Sequence, residues 1–184
     1  LALAMAGQPL PDVLIERTGA NVAIRDGDGN LVPALARKAR FTVGKWLQTN
    51  GEEITPSIAA RRPGWTCKDN RCEARVQGRQ VAFLTDAAAV SADCGSADVL
   101  IAAFPLRGAC RNIPVRIDRF DLWRSGAHAV TFDPDGPQIV TARGAQGKRP
   151  WVVIPQARRD KFTPSRSRRF DTFPPAPLRG MRRP

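Results

Sequence analysis

A short apolar segment between two cysteines constrains the fold of this 184-residue chain more than any other feature. Val99-Leu-Ile-Ala-Ala-Phe104 contains no polar residue, and Cys94 and Cys110 lie on either side of it. An unbroken apolar run of this length is typical of a central strand that is covered on both faces. Strand and helix patterns surround it from Gln80 to Phe132. The sequence therefore predicts an α/β fold in which a mixed sheet is flanked by short helices.

The remaining elements are predicted from turn residues and periodicity. Two apolar runs, Asp12–Arg17 and Asn21–Arg25, are separated by Thr18-Gly-Ala and are expected to pair as a hairpin. Phe41–Thr49 has apolar residues at helical spacing and stops at Asn50-Gly51. The other expected elements are strands at 31–35, 66–77, 80–84, 129–132 and 138–142, and helices at 87–92, with Asp86 as N-cap, and at 118–124.

The four cysteines allow three interpretations. Cys67 and Cys72 are separated by four residues in strand-like sequence, which suits a hairpin closed by a disulfide. Cys94 and Cys110 could meet if the chain doubles back after the apolar strand. The alternatives are free buried thiols or a zinc site of four thiolates, although such sites usually contain two closely spaced pairs. Disulfides would place the domain outside the cytoplasm.

The charge of the chain points to a polyanionic partner. The net charge is +12, with a pI of about 11.1, and this balance favours nucleic acid or anionic lipid. Residues 156–184 contain nine Arg or Lys against two Asp, so +7 of the +12 belongs to this segment. It is rich in Pro, Arg and Ser and has no periodicity, and we expect residues 155–184 to form a disordered basic tail.

The tail could be a solvated terminus or an arm that contacts phosphates. Phe162, Phe170 and Phe173 alternate with basic residues, so the rings could stack on bases while guanidinium groups neutralise phosphates. The arginines predicted to bind nucleic acid are Arg158, Arg159, Arg166, Arg168 and Arg169.

A second basic stretch lies in the body of the chain. The residues predicted to bind nucleic acid there are Arg61, Arg62, Lys68 and Arg71, with Trp65, Arg75 and Arg79 among them. Alternate members of a two-stranded hairpin face the same side. Such a side is either a solvated sheet face or a second contact for phosphates.

No motif for catalysis or for a cofactor stands out. Asp26-Gly-Asp-Gly-Asn30 resembles the start of a calcium loop, but its twelfth position is Arg37 rather than Glu, so a hairpin turn is the better interpretation. The chain has no Gly-rich phosphate loop, nucleophile elbow or paired catalytic carboxylates. We therefore expect no catalytic residue, no metal, no cofactor and no small-molecule substrate.

Three segments resemble the C-terminal soluble region of the ComEC family, inner-membrane proteins that pass transforming DNA into bacteria. They are Phe83-Leu-Thr-Asp86, Ala97-Asp-Val-Leu-Ile101 with Phe104-Pro-Leu-Arg-Gly108, and Ile117-Asp-Arg119. The stretch from Cys94 to Arg119 is similar to the alphaproteobacterial variant of this region. The resemblance covers about residues 10–150 and implies a reduced metallo-β-lactamase-like fold.

The resemblance also shows what this chain lacks. The family's metal centre needs a His-x-His-x-Asp-His cluster and later histidines, which together hold two zinc ions. Phe, Pro, Leu and Arg stand where the family has a His-His-Gly-Ser-like loop, and His128 is the single histidine in the sequence. The resemblance therefore implies a degenerate, non-catalytic domain at 11–154, with residues 1–10 linking it to a preceding membrane segment.

Three functional hypotheses follow. The first is a periplasmic domain of an inner-membrane DNA uptake channel that guides single-stranded or duplex DNA without sequence preference, with the channel part of the same parent protein as its second partner. The second is a nuclease with an unorthodox metal site, against which the missing histidines weigh. The third is a domain that only supports the channel structurally.

Overall fold

The computed structural model describes residues 9–90, 94, 96–147 and 149–150. Two five-stranded sheets pack face to face. The strands are β1 Val13–Ile15, β2 Val22–Arg25, β3 Leu31–Pro33, β4 Thr66–Lys68, β5 Arg71–Val76, β6 Arg79–Leu84, β7 Val99–Ala102, β8 Val115–Ile117, β9 His128–Asp133 and β10 Gly136–Thr141. The helices are α1 Arg40–Thr49, α2 Pro56–Ala59, α3 Arg119–Ser125 and α4 Ala142–Gln146.

One sheet is antiparallel and the other is mixed. The antiparallel sheet has the strand order β10-β9-β1-β2-β3. The mixed sheet has the order β4-β5-β6-β7-β8, in which β4, β5 and β6 are antiparallel neighbours while β6, β7 and β8 run parallel. The α/β prediction is therefore confirmed, but a single mixed sheet accounts for only half of the strands. The second sheet depends on pairing β1 with β9, which lie far apart in sequence.

The main core lies between the two sheets. Alternate residues of β1 and β2, such as Val13 and Ile24, meet alternate residues of β5 to β8, such as Phe83 and Ile101. Strand β7 is buried on both faces, because Leu100 and Ala102 belong to a second cluster on the outer side of the mixed sheet. The apolar run at 99–104 thus forms a central strand covered on both sides, as predicted.

The outer faces are covered in different ways. Helices α1 and α2 pack on the antiparallel sheet through Val43, Leu47 and Ala59. The outer face of the mixed sheet is covered by the connections that follow β6 and β7, among whose buried residues are Leu106 and Ile113. The Cys94–Cys110 disulfide joins these two connections. The part of the chain that the structure describes contains no helix long and apolar enough to cross a bilayer.

Local differences from the predictions have identifiable causes. The strand expected at 66–77 is divided into β4 and β5 by a two-residue turn, in which Asp69 and Asn70 have φ of 48° and 64°. This is the hairpin that the spacing of Cys67 and Cys72 predicted. The helix expected at 87–92 is a single 3₁₀ turn at Ala87–Ala89, although Asp86 accepts the predicted capping hydrogen bond from the Ala88 N–H. The predictions for residues 1–8 and for the tail from residue 151 onward lie outside the described residues.

Candidate functional site

All four cysteines form disulfides. Cys67 and Cys72 lie directly opposite each other in the β4–β5 hairpin, with Cα atoms 4.0 Å apart. Cys94 and Cys110 have Cα atoms 5.3 Å apart. The predicted pairing is therefore confirmed, and the structure holds neither free thiols nor a thiolate zinc site.

The predicted basic stretch does not form one surface of free charges. Arg62 donates hydrogen bonds to Glu52 and to the carbonyl of Leu31, 2.9 Å away, so it belongs to the packing of α2 on β3. Arg71 pairs with Glu73 on its own strand, at 2.6 Å. Only Arg61 and Lys68 of the four predicted residues are exposed and lack an ion pair among the described residues.

Glu52 explains why Arg62 is held in place. Burial alone would raise the pKa of the Glu52 carboxyl, but hydrogen bonds from the Leu31 N–H, from Arg62 and from Asn50 together lower it. The side chain of Glu52 is 9% exposed and that of Arg62 25%. The arginine thus compensates a nearly buried carboxylate, which is a structural role.

The described residues offer no metal centre. Among them, no group of three or more His, Cys, Asp or Glu side chains lies close enough to hold an ion. His128 is buried at the start of β9, with Nδ1 2.9 Å from the carbonyl oxygen of Gly126, and burial lowers its pKa. Asp86 has its carboxylate on the Ala88 N–H. His128 and Asp86, the two residues considered as metal ligands, therefore make local hydrogen bonds with the backbone.

A groove lies at one end of the sandwich, where several strands terminate. The carboxyl ends of β1, β7, β8 and β10 and the amino end of β9 lie next to it. The residues that give it its chemistry are Arg17, Thr18, Arg119, Trp123, Arg143 and Gln146, and we call this the end groove.

The end groove measures about 790 Å³, the two next largest described depressions measure about 480 Å³ each, and the smallest measures about 260 Å³. The end groove is therefore the largest depression among those described.

The floor of the end groove is tightly packed. A Cβ atom added to Gly19, in the β1–β2 turn, would lie 3.1 Å from both the Cα of Ala103 and the Cδ1 of Leu122. Gly19 also has a φ of 73°, which glycine adopts without strain. This close approach joins the end of β1 in one sheet to the residue after β7 in the other, and to α3.

Hydrogen bonds fix α3 at the side of the groove. Asp118 accepts hydrogen bonds from the N–H groups of Phe120 and Asp121, while the Asp121 carboxylate accepts one from the Asp118 N–H, which completes a capping box. Asp118 also accepts a hydrogen bond from the Leu106 N–H at 3.1 Å. The helix is thereby tied to the connection that follows β7.

The three arginines of the groove are held differently. Arg17 and Arg119 are exposed, and neither has an ion pair within the described ranges. Arg143, from α4, donates hydrogen bonds to the last carbonyls of α3, those of Trp123 and Arg124. Arg17 and Arg119 are therefore the two cations that are available to a ligand.

Nearby carboxylates do not neutralise these cations. Glu16 is buried, and its carboxylate accepts hydrogen bonds from the N–H groups of Thr18 and Ala20 inside the turn. Asp121 pairs with Arg124 at 2.7 Å. These two acidic side chains therefore make their interactions within their own turn and helix, and neither forms an ion pair with Arg17 or Arg119.

Charge distinguishes the end groove from the other depressions. Three arginines and no acidic residue line it. The depression on the β4–β5 hairpin is lined by two basic and two acidic residues, namely Lys68, Asp69, Arg71 and Glu73. The depression beside β2 has Arg25 and Arg75 against Asp12 and Asp26. A fourth depression, beside the Cys67–Cys72 hairpin, has Lys68 and Arg71 against Asp69 and thus a net charge of +1, so the end groove, with its three arginines, is the most positive of the four.

The sequence did not predict this site, because its members are dispersed. Arg17, Arg119 and Arg143 come from three separate segments that only the two-sheet arrangement brings together. One local signal exists, since Arg119 and Trp123 are four residues apart and therefore share a face of the predicted helix at 118–124.

The chain matches no protein-family model, and neither a curated protein nor a solved structure matches it. The end groove, as the most positive depression described, is therefore the candidate functional site.

Proposed function

We propose that this chain is a non-catalytic domain of a ComEC-like DNA uptake channel and that it contacts DNA through the end groove. The observation that carries the proposal is the uncompensated charge of that groove, three arginines without a carboxylate. Phosphate contacts by arginine are independent of sequence and provide most of the affinity of non-specific DNA binding. Such contacts would guide DNA of any sequence past the domain.

The positions of the family-like segments support the resemblance. Phe83-Leu-Thr-Asp86 ends β6, and Ala97-Asp-Val-Leu-Ile101 enters β7, its parallel neighbour. The substituted loop Phe104–Gly108 directly follows Ala103, which lines the end groove. In a metallo-β-lactamase-like interpretation, the loop that has no histidines therefore borders the groove that contains the three arginines.

The disulfides support an extracytoplasmic location. Both bonds are within the folded body, and structural disulfides persist in oxidising compartments such as the bacterial periplasm. A periplasmic domain attached to an inner-membrane channel is the setting that the resemblance implies. The channel part of the same parent protein would be its second partner.

The test measures DNA binding by the full chain, with fluorescence anisotropy as the readout, at several salt concentrations. A variant of the full chain with Gln at Arg158, Arg159, Arg166, Arg168 and Arg169 separates the body from the predicted arm. We expect the variant to retain salt-dependent binding, because the end groove is intact. Loss of all binding in the variant would assign the contact to the arm, and no binding by either protein at low salt would favour a purely structural domain.

A further inference from the structure

The end groove contains an exposed aromatic side chain as well as cations. Trp123 lies on α3, one helical turn after Arg119, and 49% of it is exposed. Phe120, on the same helix, is 50% exposed. Residue Leu122 is the buried anchor of this helix, so neither ring is needed to hold α3 on the core.

The backbone of α3 at Trp123 is held in place at both ends of the helix. Its carbonyl oxygen accepts a hydrogen bond from Arg143 at 2.8 Å, and the capping box fixes the other end of the helix. An indole presented from a braced helix beside arginines offers a flat apolar face next to positive charge. Aromatic faces next to cations are the elements from which single-strand binding sites are built.

We propose that Trp123 is a stacking platform for an unpaired base, so that the end groove binds single-stranded DNA in preference to duplex. The inference rests on the proposed function, because it adds base stacking to the phosphate contacts that the arginines of the end groove would make. Bases in a duplex are stacked on each other and present only their edges in the grooves, whereas an unpaired base has a free face. The groove volume of about 790 Å³ is that of a pocket for a small ligand, which gives room for single nucleotides rather than for a double helix.

Binding of three probes of equal length tests the proposal: a single strand, its duplex, and an abasic strand that retains the phosphates. The proteins are the full chain, Trp123→Ala, Trp123→Phe and Arg119→Ala. Ile58→Ala is the matched control, since it removes an exposed apolar side chain on α2 outside the groove. Thermal unfolding of each variant checks that the fold is retained.

We expect Trp123→Ala to weaken single-strand binding by about 5- to 150-fold, the range for loss of one base stack, and Trp123→Phe to restore much of it. Duplex and abasic probes should respond little to Trp123→Ala, while Arg119→Ala should weaken binding of all three. Equal loss for all probes on Trp123→Ala, or no loss for any, would overturn the stacking proposal. If Arg119→Ala weakened binding although Trp123→Ala did not act selectively on the single strand, DNA binding through the end groove would remain supported and base stacking on Trp123 would not.

Discussion

At the residue scale, two arginines of the same sequence have opposite roles. Arg62 compensates the nearly buried Glu52, whereas Arg119 faces the end groove without an ion pair in the described part of the chain. Arg62→Ala should lower the free energy of unfolding by about 1–3 kcal/mol, because a buried carboxylate loses its partner, and should leave DNA affinity unchanged. Arg119→Ala should weaken DNA binding and leave the free energy of unfolding unchanged. Urea unfolding and anisotropy measure the two effects, and a loss of affinity without a loss of stability for Arg62→Ala would contradict this assignment.

The single histidine predicts a dependence of stability on pH. Burial lowers the pKa of His128 below its ordinary 6.5, so below that pH the unfolded chain binds a proton that the folded chain does not. Stability should therefore be full above about pH 6.5 and should fall as the pH decreases below it. Glu52, with a pKa below 4.5, adds a second loss at more acid pH. His128→Gln should remove the first loss and leave the second, whereas an NMR titration of His128 giving a pKa at or above 6.5 would disprove the explanation.

At the scale of elements, the two disulfides constrain different lengths of chain. Cys94–Cys110 spans 16 residues and joins the connections over the mixed sheet, while Cys67–Cys72 spans 5 within one hairpin. By loop entropy, replacing the longer pair with alanines should cost about 3 kcal/mol and replacing the shorter pair about 2 kcal/mol. Denaturant unfolding of the two double variants gives the comparison. A larger cost for the hairpin pair would mean that loop entropy does not explain their contributions.

Elements were predictable from the sequence where local chemistry decides them. The end of α1 at Asn50-Gly51, the Asp86 cap and the doubly buried strand β7 follow from residue types and periodicity. The helix expected at 87–92 is shorter because a cap specifies where a helix starts but not how far it continues. Pairing of β1 with β9 could not be predicted, since no local pattern encodes a register between distant strands.

At the scale of the whole molecule, that distant pairing also creates the candidate site. Arg17, Arg119 and Arg143 meet because the ends of both sheets lie together. The closely spaced basic residues in and before the β4–β5 hairpin were the visible signal in the sequence, yet the fold places carboxylates among them. In this chain, the uncompensated positive charge therefore lies where the ends of strands meet, and not where basic residues cluster in the sequence.

We predict that the folded body binds DNA through the end groove and not through the basic stretch that contains Arg61 and Lys68. The test compares two double variants of equal charge change in the full chain, a groove variant with Arg17→Ala and Arg119→Ala and a hairpin variant with Arg61→Ala and Lys68→Ala. Anisotropy with single-stranded DNA over a range of salt concentrations should show a large loss of affinity and a salt slope reduced by about 1.4 for the groove variant. The hairpin variant should change both little. Equal losses in the two variants, or a larger loss in the hairpin variant, would contradict binding through the end groove.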